Sequence, residues 1–96
     1  MEADGTITRE GGPAGGRYVL RSGALEAELV FSPGGTGRVV ATHTGVPAAL
    51  RGAGAGRRLV ERLVADARAE GFRIVALCPF VKAQALRHPE WADAFA

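Results

Sequence analysis

With 96 residues, 47% of them hydrophobic, the chain is bounded to one domain with one modest core, at a size where folding alone is feasible on a thin margin. Its formal net charge is a small +2 (pI about 9.3), and its basic residues are almost all arginine, several clustered after a glycine turn, which suits an anionic ligand better than a duplex, for which a longer basic stripe is called for. One cysteine excludes an internal disulfide and a cysteine-rich metal site, and no apolar run approaches the roughly 18 residues of a membrane span.

Residues 1–16 are polar and glycine-rich, expected to be partly flexible, with Gly11-Gly12-Pro13 and Gly15-Gly16 as turn punctuation and a short strand around residues 6–9. The opening Met1-Glu2-Ala3-Asp4 lacks the charged-then-apolar pattern of a signal peptide, so a cytoplasmic protein is expected. Tyr18-Val19-Leu20 predicts a strand closed by a tight turn at Ser22-Gly23. Residues 25–31 alternate, Leu25, Ala27, Leu29 and Phe31 against Glu26 and Glu28, as a half-buried strand does. After a turn at residues 32–37, residues 38–46 read as a strand covered on both faces, because Val39, Val40 and Ala41 run together. Up to here the chain predicts an antiparallel meander.

The pattern then changes. Following the glycine turn, Leu59, Val60, Leu63, Val64 and Ala67 recur at helical spacing, with Arg58, Glu61, Arg62, Asp66 and Arg68 on the other face. Gly71 is placed to end that helix in a left-handed conformation. Residues 72–77 form an apolar strand after a crossover helix, and so are expected to run parallel to the strand ending at Val46. Cys78-Pro79 begins a second helix to about Arg87, and His88-Pro89-Glu90-Trp91 turns into a short final segment.

The most informative stretch is Arg51-Gly52-Ala53-Gly54-Ala55-Gly56-Arg57-Arg58. Alternate glycines expose peptide N–H groups to close approach, and they do so at a helix start, where donors lack internal partners and the dipole is positive. A strand, a glycine turn and a helix start together make a pyrophosphate site. The spacing is not that of a dinucleotide turn, since Arg57 or Leu59 falls where the third glycine belongs, nor of a P-loop, since the only lysine is Lys82.

What remains, Arg51-x-x-Gly54-x-Gly56, resembles the R/Q-x-x-G-x-G/A signature of the GNAT superfamily of N-acetyltransferases. Further matching segments are His43-Thr44-x-Val46-Pro47, Leu77-Cys78-Pro79-Phe80-Val81 and Arg87-His88-Pro89-Glu90, in an order similar to a compact, YjdJ-like branch of that superfamily over nearly the whole chain. Ala76 and Gln84 depart from it, standing where that branch has a proline and a tyrosine. The resemblance implies a minimal mixed α+β fold over residues 1–96: a meander, then β-α-β with a splayed parallel strand pair, then a C-terminal helix. It also implies acetyl-coenzyme A as the ligand. The residues expected to bind it are Thr44 and Val46 at the splay, Arg51, Gly52, Ala53, Gly54, Ala55, Gly56 and Arg57 in the turn, and Pro79 and Phe80 at the second helix start.

Transfer of acetyl to an amine requires loss of a proton from the amine, donors for the oxyanion and a proton for the departing thiolate. Cys78 precedes Pro79, a natural first helical residue, so its sulfur is expected to cap a helix start, which favours the thiolate. There it accepts the acetyl group or protonates the leaving thiolate; the alternative is a small buried hydrophobe at a strand end. His43, on the strand edging the cleft, is the candidate general base, against the commoner role of a hydrogen-bonded structural group. His88 is assigned to helix termination before ligand contact, and Glu61 to a solvated pair with Arg57. Arg51, Arg57 and Arg58 either touch phosphates or form a solvated helix start. Tyr18 and Trp91 are expected in the core or at its rim.

Three functions fit. The first is acetyl transfer to an unidentified amine, on a small molecule or a protein. The second is a non-catalytic coenzyme A or acyl-coenzyme A binding module, suggested by the missing tyrosine and the missing terminal strands. The third is a small basic nucleic-acid-associated protein, which ranks last. No metal and no membrane are expected, and the open acceptor side leaves room for completion by a second copy.

Overall fold

The computed structural model describes residues 5–12 and 15–96. Met1–Asp4 and Pro13, on which the signal-peptide and first-turn expectations bear, lie outside the described residues. The strands are β1 (Thr6–Gly11), β2 (Gly16–Ser22), β3 (Leu25–Pro33), β4 (Arg38–Gly45) and β5 (Arg73–Ala76), and the helices α1 (Ala48–Arg51), α2 (Ala55–Glu70) and α3 (Pro79–Arg87), followed by a 3-10 turn at Pro89–Ala94. They form one five-stranded sheet in chain order, antiparallel from β1 to β4, with β4 and β5 parallel as the crossover helix requires. Thr6–Gly11 in the glycine-rich start is a full strand, paired with β2 at six positions.

The core lies between one face of the sheet and α2. Tyr18, Leu20, Ala27, Leu29, Phe31, Val39, Ala41 and Ile74 meet Leu59, Val60, Leu63, Val64 and Ala67, all buried. Burying each of the large aliphatic groups of α2 stabilises the domain by about 2 kcal/mol. Tyr18 belongs to this core; its hydroxyl donates to Asp66 at 2.7 Å, and Arg9 and Arg62 also reach Asp66 at 3.3 Å. The opposite face of the sheet is laced by charges: Arg17 pairs with Glu10 and Glu28, both at 2.9 Å, and Arg21 with Glu10 at 3.2 Å.

Gly71 ends α2 with a φ of 78°, its N–H donating to the Ala67 carbonyl at 2.9 Å. The chain then returns as β5, paired with β4 only from Arg38↔Arg73 to Ala41↔Ala76. Beyond that point the Leu77 and Cys78 N–H groups both donate to the Ala41 carbonyl, at 3.1 and 2.9 Å, and the chain turns away into α3. β4 continues to Gly45 against β3 alone. The two parallel strands therefore splay, and the cleft opens there. No helix of the described residues is long and apolar enough to cross a membrane.

Candidate functional site

The chain leaves β4 through Val46-Pro47 into the single helical turn α1, absent from the sequence-based expectation because four residues give no periodicity. Arg51 Nε donates back to the Val46 carbonyl at 3.0 Å, fastening this turn to the strand exit. Gly54 then reverses the chain with φ of 80° and ψ of 19°, and nothing lies within 4 Å of where its Cβ would stand. That conformation favours glycine, and the open space leaves the backbone approachable. No side chain caps α2; its Arg58 N–H donates to the Gly54 carbonyl at 3.1 Å, so the N–H groups ahead of it face outward at the positive end of a sixteen-residue helix.

Gly56 has a different task. A Cβ there would fall 2.6 Å from Cζ of Phe80, so glycine is what lets the Phe80 ring of α3 lie against the start of α2. Turn, strand end and α3 enclose a cleft of about 460 Å³ lined by Thr44, Val46, Arg51, Gly54, Gly56, Arg57, Phe80, Gln84 and Arg87. Three arginines and no carboxylate among these residues give the cleft a cationic lining. Arg57 Nη1 also holds Glu61 across one turn at 2.6 Å, the pair expected from the sequence.

Seven of the eleven residues expected to bind the ligand line the cleft: Thr44, Val46, Arg51, Gly54, Gly56, Arg57 and Phe80. Ala55 is fully buried and Ala53 packs against the core, while Gly52 and Pro79 also lie outside the lining. Arg58 is directed elsewhere, donating to the Gly5 carbonyl at 3.2 Å. Gln84 and Arg87 are the lining residues that sequence reasoning missed. They sit four and seven positions after Phe80, on the same helix face, and that spacing was the available signal.

Cys78 is the N-cap of α3, with extended backbone and Pro79 at the first helical position. The residue is 6% exposed, and its sulfur lies 3.6 Å from the Thr44 hydroxyl, which reaches it from the cleft wall. Burial pushes the thiol pKa up, but the N–H of Val81, the Thr44 hydroxyl and the N–H of Phe80 favour the thiolate more, and the net shift is downward.

His43 is on the other face of the sheet. Between Phe31↔Ala41 and Val30↔His43 the ladder takes in one extra residue on β4, a bulge at Thr42. In plain alternation His43 would follow Val39 and Ala41 toward the helices. The extra residue gives that place to Thr44 and turns His43 outward, 59% exposed and 3.7 Å from Glu28. It therefore stands across the sheet from the cleft lining. His88 caps α3, stacks on Trp91 at 4.1 Å and contacts Glu90 at 3.1 Å, in keeping with helix termination; Trp91 is buried.

A meander leading into a splayed parallel pair, with a glycine-turn helix start facing the splay, is the architecture of the GNAT fold. The family described as GCN5-related N-acetyl-transferase matches residues 17–94, and the chain belongs to it. Among solved structures the chain is similar to the NMR solution structure of a GCN5-like candidate N-acetyltransferase from Staphylococcus aureus, with 24% identity and a TM-score of 0.75 over 95% of this chain and 87% of that one. That likeness concerns the fold. No curated protein matches the chain.

Proposed function

We propose that this protein is an acetyl-coenzyme A-dependent N-acetyltransferase of the compact single-domain (YjdJ-like) branch, acting in the cytoplasm on an amine of a small molecule or a protein. The observation that carries the proposal is one cleft whose lining joins Gly54, Gly56 and three arginines to Thr44, whose hydroxyl meets the Cys78 sulfur. The residues fit the ligand: α2 presents helix-start N–H groups beside Arg51, Arg57 and Arg87 for the phosphates, and the splayed edge of β4 after Ala41 presents backbone for the pantetheine arm.

When bound, acetyl-coenzyme A supplies an activated acyl carbon with a thiolate leaving group. The chain's own groups divide the remaining work. The Thr44 hydroxyl contacts the Cys78 sulfur, and the N–H groups of Val81 and Phe80 at the start of α3 favour its thiolate. From there the Cys78 thiolate takes the acetyl group as the coenzyme A thiolate departs, and a neutral amine then displaces the Cys78 sulfur, which takes up the amine's proton; or the Cys78 thiol gives its proton to the departing sulfur while a neutral amine attacks directly and its proton returns to Cys78. The acceptor approaches from the side of the sheet that carries His43 and Glu28, where Glu26, Glu28, Gly45 and Pro47 border a hollow.

A second reading, a coenzyme A-binding module without catalysis, is favoured by one observation: the chain's single tyrosine, Tyr18, is a core residue hydrogen-bonded to Asp66 and not among the residues that line the cleft. Calorimetric titration with coenzyme A, followed by release of its thiol in the presence of acetyl-coenzyme A and a panel of primary amines, separates the two. Saturable binding with amine-dependent release is expected. Binding without release hands the function to the module, and no binding overturns both.

A further inference from the structure

The cleft wall contains one group that the fold itself leaves unpartnered. Gln84 is 7% exposed, and its Oε1 is buried without a hydrogen-bond partner among the described residues. It belongs to the cleft lining, one turn after Phe80 and three residues before Arg87. A buried amide oxygen left unpaired costs stability, and such groups are rare in native folds unless something outside the chain completes them. We infer that the Gln84 side-chain amide is a ligand-reading group that pairs with an amide of the pantetheine arm of coenzyme A. This rests on the proposed function and adds to it a specificity-determining residue in α3.

The chemistry selects the arm over the phosphates. Oε1 only accepts, so its partner must bring an N–H or O–H; a phosphate oxygen would be repelled. The arm carries two secondary amides, each matching a primary amide with a donor and an acceptor. The depth of the site agrees. At Gln84 the wall is buried, whereas Arg87 is exposed and Arg57 is 40% exposed, so the slender arm passes the buried amide while the charged end stays with the open arginines.

The test compares wild type with Gln84→Leu and Gln84→Met in two measurements. In calorimetry, the probes are coenzyme A and adenosine 3′,5′-bisphosphate, which lacks the pantetheine arm. Each variant is expected to bind coenzyme A about tenfold more weakly, the cost of stranding one ligand amide, and to bind the bisphosphate as wild type does. In thermal melts of the ligand-free protein, both variants are expected to melt higher than wild type, because an unpaired buried oxygen has been replaced by apolar atoms of similar volume. A purely structural glutamine gives the opposite sign. If wild type binds coenzyme A and both variants bind it equally well, or if both probes weaken together, the inference about Gln84 is overturned while the proposed function stands. If wild type binds no coenzyme A, the proposed function falls and the Gln84 assignment falls with it.

Discussion

Gly54 meets two demands, one conformational and one of recognition, and substitution can separate them. Its φ of 80° is left-handed, a conformation that costs alanine about 1–2 kcal/mol and asparagine less, because a short polar side chain tolerates it. Nothing lies within 4 Å of the added Cβ, so the loss is backbone strain alone with no clash to add. In a domain of this size, 1 kcal/mol moves the melting midpoint by roughly 4–8 °C. Gly54→Ala is therefore expected to melt lower by about that amount or somewhat more, and Gly54→Asn by less. Either side chain projects into the cleft mouth, where the pyrophosphate is proposed to reach the backbone. Both variants are expected to bind coenzyme A at least about tenfold more weakly, through loss of the close N–H contacts. Thermal melts followed by isothermal calorimetry at a temperature where every variant is folded measure the two effects independently. A folded Gly54→Asn protein with wild-type affinity would refute the reasoning and make the glycine purely conformational. Valine is the poorer probe, since a β-branched residue at this φ confuses loss of binding with unfolding.

The other predictions concern the sulfur, the core hub and the outer face. Cys78→Ala is expected to retain coenzyme A binding and to lose transfer; a single acetyl adduct on the Cys78 peptide by mass spectrometry supports the two-step route, and full transfer by the variant makes the residue structural. Thr44→Val removes the hydroxyl 3.6 Å from the sulfur, so thiolate absorbance should titrate at higher pH than in wild type. Because folding lowers the Cys78 pKa, its stabilising contribution is complete above the unfolded thiol's pKa and is lost as pH falls through the folded one; wild type minus Cys78→Ala stability, measured in urea, should rise with pH between the two. Asp66→Ala strands the buried Tyr18 hydroxyl and removes one contact each from Arg62 and from Arg9, which keeps Glu70 at 2.6 Å; it is expected to cost about 1–3 kcal/mol in urea denaturation, with an unchanged midpoint counting against the hub. His43→Ala should leave coenzyme A affinity unaltered, because the imidazole faces away from the cleft; weakened binding in calorimetry contradicts its placement.

The fold was largely legible because its signals are local. Alternation at residues 25–31, helical periodicity from Leu59 to Ala67, and glycines at 54 and 71 fixed strand, helix and turn without tertiary information. The site was legible where backbone chemistry defines it, at Gly54 and Gly56, and where Pro79 marks Cys78 as a cap. It was illegible where a single residue shifts register. Thr42-His43-Thr44 reads as plain alternation, and only pairing with β3 reveals the extra residue that exchanges the faces of His43 and Thr44. The motif points equally to Ala53 and Ala55, yet their methyl groups pack with the core while Gly54 and Gly56 border the cleft. Gln84 escaped because a polar residue in a helix gives no sign of its burial until α3 is packed against the glycine turn.

The most direct test of the account is a titration of ¹⁵N-labelled protein with coenzyme A, followed by amide resonances. The account predicts saturable shifts concentrated at Thr44, Val46, Gly54, Gly56, Arg57 and Phe80, with the outer-face residues of β1 and β2 unmoved. Shifts centred on Arg17, Arg21 and Glu26 instead, or no saturable shift at the glycine turn, would contradict it.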